Sequence, residues 1–179
     1  MAISGGLSRS TIPRKGKIKM ETKLYIAYGS NMNLPQMAKR CPTAKVVGTS
    51  VLHSWRLLFR GGHGNAVATV ERHKGGQVPV LVWEITPSDE EALDRYEGFP
   101  FLYRKEIINI KMDGKPTKVM AYIMNTNDSR FGYRPLNQPS AFYYSVIREG
   151  YKDAGFNVDV LRRAAKRSIE PDKPNTNLV

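Results

Sequence analysis

Lys23-Leu24-Tyr25-Ile26-Ala27-Tyr28-Gly29-Ser30-Asn31-Met32 is the stretch around which the rest of the chain is organised: an apolar run stops at Gly-Ser-Asn and a helix-like segment follows. The run Lys23 to Tyr28 reads as a buried strand that delivers a small polar loop into the fold. Glycine permits a left-handed turn or a close backbone approach, and the amides that follow can converge on one anionic or carbonyl oxygen. The same residues also suit an ordinary strand-to-helix connection. A binding role therefore needs a second element elsewhere in the chain.

Composition narrows the classes. At 179 residues, 41% hydrophobic and 25% charged, the chain is long enough for one domain with its own core and too apolar for global disorder. One cysteine, Cys41, rules out an internal disulfide framework and any cysteine-pair metal site, and fits a reducing compartment. It precedes Pro42 at a helix end, the setting of a buried structural thiol rather than a nucleophile. No run approaches the roughly 18 apolar residues of a membrane span, and residues 1–22 lack the apolar centre of a secretory signal. A cytoplasmic protein with no membrane partner is the expectation. His53, His63 and His73 show no helix-face pairing, so no metal is expected, and no nucleophile-elbow sequence supports a Ser-His-Asp hydrolase.

The formal net charge is +12. Much of the excess lies in residues 1–22 (Arg9, Arg14, Lys15, Lys17, Lys19) and near the C-terminus (Arg162, Arg163, Lys166, Arg167, Lys173). Basic tails of this kind give solubility or loose association more readily than a docking face, so no specific nucleic-acid partner is expected. The division that follows is a basic leader over 1–22, one domain over 23–168 and a tail over 169–179.

Along that domain, a short helix is expected about Asn33 to Arg40, then one or two strands between Ala44 and Phe59. Arg60-Gly61-Gly62-His63-Gly64-Asn65 breaks them, and lacks the order and the lysine of a phosphate-binding loop. Ala66 to Val70 and Val78 to Ile85 read as two strands around a turn at Lys74-Gly75-Gly76. Ser88 is the expected N-cap of the next helix, with Glu91 closing a capping box. Strands over Tyr103 to Met112 and Thr117 to Met124 flank Asp113-Gly114, a hairpin signal. A helix from Ser140 to Gly155 places Phe142, Tyr143, Val146 and Ile147 on or near its buried face, and a last helix runs about Asn157 to Lys166. Strands separated by few helices, with helices at the end, argue for an α+β fold or a small barrel with helices outside.

Glu97 supplies the second element. It stands where the Ser88 helix should end, beside Tyr96 and before Gly98-Phe99-Pro100-Phe101-Leu102-Tyr103. The negative end of a helix dipole and aromatic neighbours both disfavour its ionised form, which suits proton transfer near neutral pH. A solvated glutamate in a turn is the alternative.

These pieces together resemble the γ-glutamylcyclotransferase-like family. The resemblance is carried, in order, by Tyr28-Gly29-Ser30-Asn31, the strand Val80 to Ile85 leading into Leu93-Asp94-x-x-Glu97-Gly98, Tyr103, and Pro139-Ser140-x-x-Tyr143 entering a helix. It spans roughly residues 23 to 170. It implies a small mixed β-barrel with peripheral helices and a cavity closed by the opening loop. It also implies that Tyr28, Gly29, Ser30 and Asn31 hold a γ-glutamyl group, that Glu97 is the acid/base, and that Tyr103 and Tyr143 are pocket tyrosines. The reaction implied is cyclisation of a γ-glutamyl amino acid or amine to 5-oxoproline, with no cofactor and a small γ-glutamyl substrate as the partner. A non-catalytic binding protein on the same scaffold is the alternative, and a barrel carrying functional basic tails is a third reading. Basic residues of the variable loops, Arg60, Arg130 and Arg134, either favour an acidic leaving portion or are simply solvated.

Overall fold

The structure, a computed structural model, describes residues 21–126 and 132–169. The expected leader, apart from Glu21 and Thr22, the tail from 170 onward and Arg130 fall outside the described residues.

Five strands form one mixed sheet in the order β2-β3-β1-β5-β4. The central strand β1 (Lys23–Ala27) pairs antiparallel with β3 (Val67–Ile85), Lys23 opposite Ile85 and Ala27 opposite Leu81, and parallel with β5 (Lys115–Met124), Tyr25 opposite Met120. Its apolar run is what a strand flanked on both sides requires. β2 (Lys45–Arg60) lies outside β3, and β4 (Tyr103–Met112) lies outside β5. The β4–β5 hairpin turns at Asp113 and Gly114, both at positive φ (48° and 76°), as the sequence predicts.

Two expectations about strands change. β3 is one strand, not two, and Gly75-Gly76 does not end it. His53 pairs with Gln77 and Trp55 with Arg72, so the residues between Arg72 and Gln77 bulge opposite Ser54 while the ladder continues. A Cβ on Gly76 would lie 2.2 Å from the Trp55 carbonyl oxygen, so that glycine serves a close approach to β2 rather than a turn. The barrel does not close either. No ladder joins β2 to β4 among the described residues; the Ser50 hydroxyl reaches the Lys111 carbonyl at 2.7 Å, and beyond it the edges part around a groove of about 380 Å³ over Leu52, Trp55, Ile108 and Ile110. The bulge of the β2–β3 ladder at His53/Trp55 lies along this groove, where it interrupts a regular β2 edge.

Helices cover the sheet. α1 (Leu34–Arg40) starts at Asn33, whose side chain accepts from Gln36 N–H. α2 (Pro87–Glu97) is capped two residues before the expected position: Thr86 and Asp89, not Ser88 and Glu91, form the capping box. Pro87 is the reason, since its fixed φ and missing N–H favour the first helical position. α3 (Ala141–Asp153), capped by Ser140, buries Val146, Ile147, Gly150 and Tyr151; its first turn brings Tyr143 inward and leaves Phe142 76% exposed, contrary to expectation. α4 (Asp159–Arg167) is tied to β2 by the Ser168 hydroxyl, which accepts from Phe59 N–H at 2.9 Å. Cys41 is buried with its thiol on the Asp89 carbonyl, and burial pushes its pKa to about 11, consistent with a structural thiol. Among the described residues no helix is long and apolar enough to cross a membrane.

Candidate active site

Between β1 and α1 the chain makes one 3₁₀ turn, Ser30–Met32, closed by Met32 N–H to the Gly29 carbonyl and Asn33 N–H to the Ser30 carbonyl, both at 3.0 Å. The amides of Gly29, Ser30 and Asn31 precede these bonds and take no part in them. Two glycines set the loop's position. A Cβ on Gly29 would meet the Ala68 Cβ at 3.1 Å and the Tyr143 hydroxyl at 3.5 Å, and a Cβ on Gly150 would lie 2.7 Å from the Met32 carbonyl carbon. α3 and β3 therefore grip the turn at backbone distance.

Glu97 arrives from the other side. α2 ends in a Schellman arrangement: Gly98 is left-handed (φ 60°, ψ 35°), its N–H bonds to Arg95 O, and Phe99 N–H bonds to Asp94 O at 3.0 Å. One turn earlier Asp94 accepts from the Tyr122 hydroxyl at 2.6 Å and from Lys105 Nζ at 2.8 Å, which docks the helix on β4 and β5. The Glu97 carboxylate then receives Asn31 Nδ2 at 2.7 Å.

Loop and helix end share one cavity of about 260 Å³. The structure places Tyr28, Gly29, Ser30, Asn31, Glu97, Tyr103 and Tyr143 all on its wall, residues that span the chain from β1 to α3. Among the described residues Glu97 is the one carboxylate on that wall. The tyrosines are fixed by main chain: Tyr28 donates to the Tyr122 carbonyl and Tyr103 to the Ala68 carbonyl, both at 2.5 Å, while the Tyr143 hydroxyl accepts from Ala68 N–H at 3.2 Å. Burial, with the Glu97 charge adding to it, holds all three well above the usual tyrosine pKa, so they are neutral hydrogen-bonding groups. Burial also raises Glu97, to about 7; Arg40 and the Asn31 hydrogen bond oppose it and keep the rise from going further. A neutral, aromatic-hydroxyl cavity with one carboxylate that changes charge near pH 7 is equipped for proton transfer on a small polar ligand.

The family model described as gamma-glutamyl cyclotransferase, AIG2-like, matches residues 25–141. The chain belongs to that family. Its relatives include the gamma-glutamylcyclotransferase of Homo sapiens, 27% identical over 163 residues that cover 85% of this chain and 81% of that protein. The gamma-glutamylcyclotransferase of Mus musculus is 29% identical over 164 residues, covering 86% and 81%. Among solved structures, a gamma-glutamyl cyclotransferase superposes with a TM-score of 0.69 at 24% identity, covering 89% of this chain and 94% of that one. YkqA from Bacillus subtilis superposes at 0.65 with 17% identity, covering 85% of this chain and 56% of that one. These likenesses establish the cyclotransferase-like fold.

Within this family member, three tyrosines on the cavity wall escape sequence reading: Tyr25, Tyr96 and Tyr122. Tyr25 and Tyr122 sit in strands where an aromatic is an ordinary core residue. Tyr96 is adjacent to Glu97, and its hydroxyl lies 2.9 Å from the Ser30 hydroxyl, a partner 66 positions away. Arg60 corrects the opposite way. It is buried at the end of β2, its Nε paired with Glu71 at 2.5 Å and one Nη donating to the Arg134 carbonyl at 3.0 Å, so its charge is spent within the fold rather than offered to a ligand.

Proposed function

We propose that the protein is a γ-glutamylcyclotransferase acting on a γ-glutamyl amino acid or γ-glutamyl amine, with release of 5-oxoproline and the free amine. The observation that carries this reading is the Asn31–Glu97 hydrogen bond of 2.7 Å, which joins the loop to a cavity carboxylate titrating at about 7.

The substrate carries its own nucleophile. Its α-amine attacks the γ-carbonyl, a C–N bond closes the five-membered lactam, and the original γ-amide C–N bond breaks. Holding the chain folded for attack supplies much of the rate, since well-oriented intramolecular reactions reach effective molarities of about 10⁵ M or more. Proton movement is then the main task left to the protein. The ammonium must lose a proton before it attacks, and the departing nitrogen must gain one. Glu97 takes the first proton as carboxylate and returns it as carboxylic acid, a role served best by a pKa near the working pH. The amides of Gly29 to Asn31 face the oxyanion of the tetrahedral intermediate, and the hydroxyls of Tyr28, Tyr103 and Tyr143 hold the γ-glutamyl portion.

The test is release of 5-oxoproline from a panel of γ-glutamyl amino acids, amines and peptides, with Glu97→Gln as control. Release by the wild type and its loss in Glu97→Gln supports the reading. Saturable binding of these compounds without turnover would replace it with a binding protein on the same scaffold.

A further inference from the structure

Arg40 closes α1 and is half-buried between the loop and α2, yet it does not line the cavity. Its guanidinium makes two contacts. One Nη donates to Asn31 Oδ1, and its central carbon lies 3.3 Å from the centroid of the Tyr96 ring. An asparagine amide has one acceptor end and one donor end. With Oδ1 turned to Arg40, Nδ2 is turned to Glu97 Oε1 at 2.7 Å and to the Tyr25 hydroxyl at 2.8 Å, and both amide hydrogens are used. The flipped amide would set donor against donor at Arg40 and carbonyl against carboxylate at Glu97. An arginine at position 40 excludes that orientation.

The other groups around Glu97 do not compete for this role. From β1 and the loop that follows it, β4, β5 and α3 it is faced by the tyrosines Tyr25, Tyr28, Tyr103, Tyr122 and Tyr143, all held neutral by burial. On its own helix Tyr96 is stacked under Arg40, and Asp94 is tied to Tyr122 and Lys105. Arg104 is bonded to the Met124 carbonyl and to Glu106. Among the described residues Arg40 is the cation whose charge opposes the rise of the Glu97 pKa.

We propose that Arg40 is a positioning residue: by fixing the Asn31 amide with its NH₂ toward Glu97, and by its charge, it keeps that carboxylate available as a proton acceptor at neutral pH. The inference rests on the proposed proton-transfer role of Glu97, but it can be read without turnover.

The experiment titrates the Glu97 carboxyl by carbon NMR in selectively labelled protein, using Glu97→Gln to assign the signal, and records kcat/KM for 5-oxoproline release against pH. In Arg40→Met the midpoint is expected to rise by about one pH unit, which costs about tenfold in kcat/KM on the acid side and little on the alkaline plateau. Arg40→Lys, retaining charge and donor, should restore most of the shift. An unchanged midpoint, or a loss of activity equal at every pH, overturns the inference and leaves Arg40 a packing residue. If Arg40→Met does not fold, Arg40→Leu, which likewise lacks both the charge and the donor, is read in the same way. The two readings fail separately: a raised midpoint in a protein that never releases 5-oxoproline removes the reaction and keeps the positioning, whereas turnover with an unmoved midpoint removes the positioning alone.

Discussion

The two ends of α2 put glutamate and aspartate into opposite situations over eleven residues. At the N-terminal end burial pushes Asp89 and Glu90 upward, but their partners outweigh it and both finish below the ordinary carboxylate range. Asp89 accepts from Thr43 and Thr86 through both backbone and hydroxyl, and Glu90 is paired with Lys105 at 2.7 Å and with Lys23. At the C-terminal end Glu97 has Asn31 as its hydrogen-bond donor and a wall of neutral tyrosines, and burial wins. The helix dipole works in the same sense at each end, for the anion at the start and against it at the finish. The balance of burial against donors is what separates a carboxylate that holds the fold from one that can move protons.

Replacing Glu97 by Gln gives the largest effect on this contrast. It keeps size and removes titration, so 5-oxoproline release should fall by about 10²- to 10⁴-fold with the fold intact by circular dichroism. Full activity in Glu97→Gln would mean that the C-terminal end holds structure like the N-terminal one. Gly150→Ala attacks the same end indirectly. Its new Cβ would lie 2.7 Å from the Met32 carbonyl carbon and Cβ, so α3 must back away from the loop at a cost of about 1–3 kcal/mol in urea denaturation. Release of 5-oxoproline should fall as the loop shifts, while the Glu90 and Asp89 titrations stay in place.

Stability against pH reads the opposite signs directly. Glu97 is raised from 4.5 to about 7, so the folded state binds that proton more tightly than the unfolded state. Its cost to stability is absent below about pH 4.5, grows up to about pH 7 and is constant above. Relative to wild type, Glu97→Gln should therefore gain about 1–3 kcal/mol between pH 4 and pH 8, measured as the change in ΔΔG of unfolding. A ΔΔG independent of pH would deny the raised pKa.

Much of this arrangement is local in the chain and legible there. The strand ending at Gly29, the Asp113-Gly114 hairpin, Gly98 after α2 and Ser140 before α3 each follow from the chemistry of a few adjacent residues. The helix end that disfavours a charged Glu97 is equally local. What escapes is set by pairing. Gly75-Gly76 reads as a turn because nothing nearby tells of the Trp55 carbonyl it must pass, and Arg60 reads as a loop cation because Glu71 lies on the neighbouring strand. The strand order β2-β3-β1-β5-β4 brings Tyr25 and Tyr122 to the cavity, and the position of α1 brings Arg40 to Asn31. Strand order and helix placement are properties of the assembled sheet, so no spacing in the sequence announces those three residues.

The smallest expected effect tests whether the two ends of α2 are independent. In Asp89, Oδ2 accepts from Thr86 N–H at 3.0 Å, the Thr86 hydroxyl at 2.9 Å and the Thr43 hydroxyl at 2.6 Å, and Oδ1 faces Thr43 N–H at 3.4 Å. Asn at this position keeps one acceptor end and turns an NH₂ toward an N–H, so it should cost about 1 kcal/mol at pH 7. Because the Asp89 pKa is lowered, its contribution is present above the unfolded value of 3.8 and is lost as pH falls through the folded value, so the difference between Asp89→Asn and wild type should shrink in strong acid. The acid limb of kcat/KM should stay near 7 in this variant, since the Schellman turn, Asp94 and Tyr122 fix Glu97 without help from the cap. A limb that moves with Asp89→Asn would show that α2 passes strain along its length, and its two ends would then have to be treated as one coupled unit.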